Sequence, residues 1–179
     1  MKIYTKTGDG GTTRQMTGRF VPKYDPQIAA LGDLDELDSW LGVVAANATT
    51  AEKAWLVPVL TRLQRELYAL QADISVPRHQ TITEDHVHAQ EAAIDRIMAA
   101  IPPINAFILP GGTPTAAGLQ YARTVARRAE RSVDALNDTQ QAVGAPILHY
   151  INRLSDYLFA LAREANWRAG QEELRSKAE

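Results

Sequence analysis

Arg123, Arg127 and Arg131 recur at intervals of four in a stretch that also carries Arg128, Glu130 and Asp134. At about 100° per residue, Arg123, Arg127, Glu130, Arg131 and Asp134 fall within roughly a third of a helix circumference. Beside that arc runs an apolar stripe of Leu119, Ala122, Ala126, Ala129, Val133 and Leu136. The charged strip is therefore expected to press against a buried face and to be partly desolvated. A solvated face laced with i,i+4 pairs is the plain alternative. Three arginines stacked at i, i+4 and i+8 nevertheless repel one another unless an anion lies across them. A guanidinium also presents a planar fork suited to phosphate oxygens.

A second segment points to the same anion chemistry. Thr5, Lys6, Thr7, Gly8, Asp9, Gly10, Gly11, Thr12, Thr13 and Arg14 follow one another near the N-terminus. Glycines let backbone N–H groups converge on oxyanions, threonines add hydroxyl donors, and Lys6 and Arg14 add charge. The spacing of a P-loop is absent, and no parallel β-unit surrounds the segment. A flexible glycine-rich terminus is the competing reading.

Three further groups could complete a site. Phe107 heads an apolar loop, Phe107 to Thr113, that leads into the arginine helix; it either plugs the core or walls a pocket for a large flat ligand. Asn152 and Asp156 stand at i and i+4 beside the stripe Ile147, Ile151, Leu154, Leu158, Leu161 and Ala165. A helix-to-helix hydrogen-bond network explains them equally well. On the first helix, Ile28, Leu31, Leu34, Leu37, Leu41 and Val44 make the expected core face. Asp35 and Asp38 lie at its edge and Asp33 and Glu36 point away. A carboxylate on that flank needs a cation, and an arginine of the fourth helix is the candidate. His86 and His88, at i and i+2, point in different directions and read as surface residues rather than metal ligands.

These groups must be positioned by helices. Residues 1–24 form an arm without helical period, expected to be ordered or semi-ordered. Helices are predicted from about Asp25 to Asn47, from after Thr50 to about Ser75 with a kink at Pro58, and from after Thr83 to before Pro102. A fourth runs from just after Pro114 to near Asn137, and a fifth from Pro146 to near Gly170, a C′ glycine. Only Ile104–Leu109 looks strand-like. The expectation is an all-α, single-domain five-helix bundle over 25–170, with a nucleotide-binding arm at 1–24 and a tail at 171–179.

The chain has 179 residues, enough for one domain with a real core. Nineteen basic against 21 acidic residues leave a net charge of −2, which argues against nucleic-acid binding or a basic membrane-surface protein. With no cysteine, disulfides, thiolate zinc sites and cysteine nucleophiles are excluded. No apolar stretch resembles a signal peptide or a membrane span, so the expected location is cytoplasmic.

Taken in order, these segments resemble the PduO-type ATP:cob(I)alamin adenosyltransferase family. The matching motifs are Thr5–Arg14, Pro22-Lys23, Gly32–Leu37, Phe107–Thr113, Arg123–Arg131 and Asn152–Phe159, spread over nearly the whole chain. The resemblance implies transfer of the 5′-deoxyadenosyl group of ATP to cob(I)alamin, with release of triphosphate. It implies a homotrimer whose active sites lie at subunit interfaces. There the arm Thr5–Arg14, with Lys23, closes over ATP from one subunit, while Arg127, Arg128, Glu130, Arg131 and Asn152 contact the nucleotide from its neighbour. Asp35 and Arg123 match an interface ion pair, and Phe107 matches the aromatic that packs beneath the corrin and keeps its lower axial ligand away. Mg²⁺ is expected to travel with the triphosphate rather than on a dedicated protein site. A flavoprotein reductase and an adenosylcobalamin-dependent enzyme are the expected protein partners. The chain departs from some members in one respect: after Trp167 its tail has no aromatic residue, where they close the corrin pocket with a C-terminal phenylalanine.

The chemistry suits motifs without cysteine or histidine. Cob(I)alamin is itself a strong nucleophile, and C5′ of ATP carries a triphosphate leaving group. The protein must hold cobalt and C5′ in line and neutralise charge on the departing triphosphate. Two alternatives stand beside this reading: a non-catalytic module that delivers cobalamin, and another triphosphate-nucleotide-dependent helical transferase or hydrolase.

Overall fold

The computed structural model describes residues 2–76 and 78–177. The first residue of the arm and the last two of the tail thus lie outside the described residues. Five helices carry the described residues: α1 (Pro26–Asn47), α2 (Thr50–Ser75), α3 (Glu84–Ala100), α4 (Pro114–Thr139) and α5 (Ala145–Arg168). Their starts follow local capping chemistry. The Asp25 carboxylate accepts from the Gln27 N–H at 3.0 Å, with Pro26 at the first helical position. Thr49 and Glu52 form a reciprocal capping box at α2. Thr113 accepts from Ala116 at 3.1 Å and Pro114 opens α4. Gly170, at φ 66°, ends α5 in the left-handed conformation that glycine adopts freely. Helix α2 runs on through Pro58.

Helix α4 packs against α1 on one side and α5 on the other; α2 rests on α1 and α3 on α5. The core is aliphatic: Leu34, Leu37 and Leu41 of α1, Leu60, Leu63 and Leu67 of α2, and Leu119, Ala126 and Val133 of α4 are all fully buried. Where α2 faces α5, longer polar side chains span the gap. Tyr150 donates to Glu66 at 2.8 Å, and Arg62 donates to Glu66 at 2.7 Å and to the Tyr157 hydroxyl at 3.3 Å. Among the described residues, no helix is long and apolar enough to cross a membrane.

The arm is ordered, and it contains the one sheet among the described residues. Strands β1 (Thr12–Arg14) and β2 (Phe20–Pro22) pair antiparallel, Thr13 opposite Val21. The strand-like stretch Ile104–Leu109 does not found a sheet; Ile108 makes a single bridge to Arg175 of the tail.

The α1 face is rotated from its expected position. Gln27 and Ala30 are buried, while Ile28 and Leu31 are only partly so. This turns Asp33 and Glu36 towards α4 instead of away from the bundle. It leaves Asp35 exposed, about 160° round the helix from Asp33.

Candidate functional site

Two arginines of the strip open onto one cavity. Arg123 and Arg127 line a cleft of about 660 Å³ together with Phe107, Ile108, Gln120 and Asp156. Helix α4 supplies the arginines, α5 the carboxylate, and the loop before α4 the aromatic ring. Phe107 is 87% exposed, so it does not plug the core. Arg123 is half-buried and donates to Gln120 at 2.9 Å. Its pKa is lowered, first by burial and then by the charge of Arg127, and among the described residues no carboxylate forms an ion pair with it. Arg127 and Arg131 are exposed, and Arg131 donates to the Arg127 carbonyl at 2.7 Å.

One turn on, Asn152 of α5 donates to Glu130 of α4 at 2.6 Å, joining two predicted site residues across the helix pair. Glu130 also crowds Asp134, whose pKa is raised by burial and by the charges of Glu130 and Asp138. Arg128 stands about 100° round the helix from Arg127 and faces α1, where Asp33 at 3.0 Å and Glu36 hold its guanidinium. The expected carboxylate-to-α4 contact is therefore made, but by Asp33, Glu36 and Arg128. Asp35 and Arg123 are not paired within the chain.

The arm coils into a compact cradle. Asp9 donates to the Lys6 carbonyl and Gly11 to the Gly8 carbonyl, both at 3.2 Å, and Lys23 donates to the Gly11 carbonyl at 3.0 Å. Lys6 sits at φ 62°, a left-handed conformation unfavourable for a side chain with a Cβ and characteristic of functional turns. Gly8 packs closely here: a Cβ would lie 3.2 Å from the Lys23 side chain and 3.3 Å from the Thr12 carbonyl oxygen. The Lys23 side chain thus lies against the Thr5–Arg14 loop. Among the described residues, the hydrogen bonds of the arm close within the arm or onto Asp25. Among the described residues, Thr5, Thr7, Gly10, Thr12, Thr13 and Arg14 therefore make no hydrogen bond to the α4 strip.

Some features were not foreseen. Asn166 and Arg163 of α5 are buried and hold the Phe107 loop and the tail. Both sit on the α5 core face, where a polar residue was the available signal. A second cavity, about 670 Å³, lies between the end of α2 and the α4–α5 connection and contains none of the predicted site residues. His86 accepts from the Thr83 N–H at 3.2 Å at the start of α3, and among the described residues no cluster of three or more His, Asp or Glu could hold a metal ion.

Comparison with known proteins places this geometry. The cobalamin adenosyltransferase family matches residues 3–165. The chain is 40% identical over 99% of its length to the corrinoid adenosyltransferase PduO of Citrobacter freundii, and 43% identical over 91% to that of Salmonella typhimurium. It spans about half the length of these two relatives, 53% and 49%. The corrinoid adenosyltransferase of Bacillus subtilis is 39% identical, over 95% of this chain and 89% of its own. Among solved structures, a phenylalanine-to-histidine variant of a PduO-type ATP:corrinoid adenosyltransferase from Lactobacillus reuteri, complexed with cobalamin and ATP, superposes with a TM-score of 0.94 at 36% identity, covering 98% of this chain and 97% of that one. An arginine-to-lysine variant of the same enzyme, complexed with ATP, gives 0.92 at 37% identity, over 98% and 100%. The exposed phenylalanine facing stacked arginines across one cleft, the glycine-threonine cradle and the family match over 3–165 together make this chain a member of the cobalamin adenosyltransferase family.

Proposed function

We propose that this chain transfers the 5′-deoxyadenosyl group of ATP to the cobalt of cob(I)alamin and releases triphosphate. The observation that carries the proposal is the cleft in which Phe107 faces Arg123 and Arg127. One wall suits a flat apolar ring system and the other an anion. The cobalt lone pair attacks C5′, the C5′–O bond breaks, and its electron pair leaves with the triphosphate. The chain's residues need only align the two centres and stabilise the leaving group. Arg127, Arg131, Lys6 and Lys23 supply positive charge, and the backbone N–H groups of Thr5–Arg14 supply donors. Glu130 and Asn152 orient the nucleotide. Mg²⁺ enters as part of MgATP, in keeping with its habit of binding through substrate phosphates.

The active assembly is a homotrimer with sites between subunits. Two observations support it: among the described residues no hydrogen bond joins the arm to α4, and Asp35 lies exposed on the flank of α1 away from the Asp33 contact with α4. Residues 1–179 act as one cytoplasmic domain, with the arm reaching to a neighbour. A flavoprotein reductase supplies the electron and an adenosylcobalamin-dependent enzyme takes the product.

An anaerobic reaction with MgATP and chemically reduced cobalamin tests the activity. The visible spectrum is expected to change to that of adenosylcobalamin, with intact triphosphate as co-product. Diphosphate and phosphate would instead identify a hydrolase, and binding without turnover a delivery module. Mixing inactive Lys6→Ala with inactive Arg131→Ala protein tests the shared site. Activity is expected to return in the mixture, and its absence after subunit exchange would overturn the interface assignment.

A further inference from the structure

The second cavity, at the end of α2, has a wall that is held in place by its own hydrogen bonds. Gln27 of α1 and Gln141, just beyond α4, both donate to the Ile74 carbonyl, at 3.0 and 2.9 Å. Gln27 also donates to Gln141 at 2.9 Å. The buried side chains of Ile74, Ile82 and Ile147 add apolar surface. A preformed space of about 670 Å³, with apolar walls and a few polar groups, is the usual form of a small-molecule site.

The charged groups on its lining leave one cation without a partner. Asp73 is spent inside the wall: its carboxylate accepts from the N–H groups of Thr81 at 2.9 Å and Ile82 at 2.8 Å, and meets His79 Nδ1 at 2.5 Å. Glu84 meets His149 Nδ1 at 2.8 Å. Arg78 also lines the cavity, and among the described residues its guanidinium has no hydrogen bond or ion pair. Its backbone stands at φ 65°, third in the tight turn that the His79 N–H closes onto the Val76 carbonyl at 3.1 Å. That position ordinarily takes glycine or asparagine, so an arginine is held there against its backbone preference. No contact of its side chain among the described residues accounts for that; an anion in the cavity does.

We propose that this cavity binds a small organic phosphate, with the phosphoryl group at Arg78 and the apolar body along Ile74, Ile82 and Ile147. A guanidinium fork matches phosphoryl oxygens. Thr17 and Gln80, on the same lining, are further donors. A phosphoryl group offers three strong acceptor oxygens, enough for the fork and both neutral donors at once, where a carboxylate offers two. The cavity shares no lining residue with the Phe107 cleft, so the assignment does not depend on the reaction proposed there.

The test is a titration of the full chain with phenyl phosphate, followed by NMR of the isoleucine δ1-methyl groups. Ile74, Ile82 and Ile147 report on this cavity, and Ile104 and Ile108 on the Phe107 cleft. Saturable shifts are expected at the first three, with the same apparent affinity in Arg127→Ala. Inorganic phosphate, which lacks the apolar body, is expected to bind at least tenfold more weakly. Arg78→Gly is expected to keep a melting temperature at or above the parental value, because glycine is at ease at positive φ, and to weaken phenyl phosphate at least tenfold. Arg78→Asn, also tolerated in that conformation, gives the same comparison with a side chain present. Parental affinity in both Arg78 variants would overturn the assignment. So would shifts confined to Ile104 and Ile108, or none that saturate. Benzoate binding more tightly than phenyl phosphate would overturn the phosphate as the ligand class.

Discussion

Arg128 donates to Asp33 at 3.0 Å across the contact between α1 and α4, and the Ser132 hydroxyl donates to the other oxygen of the same carboxylate. The Arg128 and Asp33 side chains are 41% and 22% exposed, so the direct pair contributes about 0.2–1 kcal/mol. Arg128→Ala is expected to lower the melting temperature by a few degrees while leaving ATP affinity close to parental. Arg127→Ala is expected to show the reverse, an ATP affinity at least tenfold weaker with an unchanged melt. An equal ATP defect in both variants, without loss of stability in Arg128→Ala, would make Arg128 a nucleotide ligand instead.

Among the described residues, Arg123 donates to Gln120, and neither it nor Asp35 forms an ion pair. If they pair between subunits, Asp35→Asn and Arg123→Lys should each impair turnover, and the double variant should lose much less than the product of the two factors. Losses that simply multiply in steady-state assays would rule out direct pairing.

Phe107→Ala removes an exposed ring, so the melting curve should not move. ATP affinity should also hold, because the arm and arginines are untouched. Activity should fall steeply from cob(II)alamin with a mild reductant, and much less from pre-formed cob(I)alamin. Equal losses from both starting states, with destabilisation, would return this ring to a packing role.

Asp73 predicts a component of acid sensitivity. Its buried carboxylate accepts from the N–H groups of Thr81 and Ile82 and contacts His79 Nδ1. Burial alone would raise its pKa, but the backbone donors of Ile82 and Thr81 and the His79 contact outweigh it, and the pKa is lowered. A lowered folded-state pKa means stability present above the ordinary carboxylate range and lost as pH falls through the folded value. Urea melts from pH 6 downwards should lose stability below about pH 4, the ordinary carboxylate range. Asp73→Asn should be less stable at pH 6 and show a flatter acid limb. An unchanged acid limb would remove Asp73 from the account.

The helices were legible because each carries a long apolar period between recognisable caps. Asp25-Pro26, Thr49 with Glu52, and Thr113-Pro114 mark starts that the backbone obeys. The β1–β2 hairpin escaped notice because three-residue strands such as Thr12–Arg14 carry no alternation to read. The orientation of Asp33 was misjudged because Ile28 and Leu31, the larger apolar residues, drew the expected core face towards α2. In the folded chain Ala30 and Gln27 are buried instead: Ala30 sits in the core, and the Gln27 carboxamide donates to the Ile74 carbonyl at the end of α2 and to Gln141. A helical period says which residues flank a stripe, not which neighbour covers each flank. The arginine strip and the Phe107 loop were readable as separate segments; that they share a cleft depends on how α4 and α5 cross, which no local pattern encodes.

Helix α5 carries Asn152 near its start and Asn166 near its end, about 21 Å apart at 1.5 Å per residue. One rod therefore sets the distance between the group that meets Glu130 and the group that grips the Phe107 loop. Substitutions along its surface leave that span intact, but a single inserted residue rotates everything beyond it by about 100° and lengthens it by about 1.5 Å. The end that meets Glu130 and the end that grips the Phe107 loop are cut to one length and one phase, so this helix tolerates changes of letter far better than changes of count.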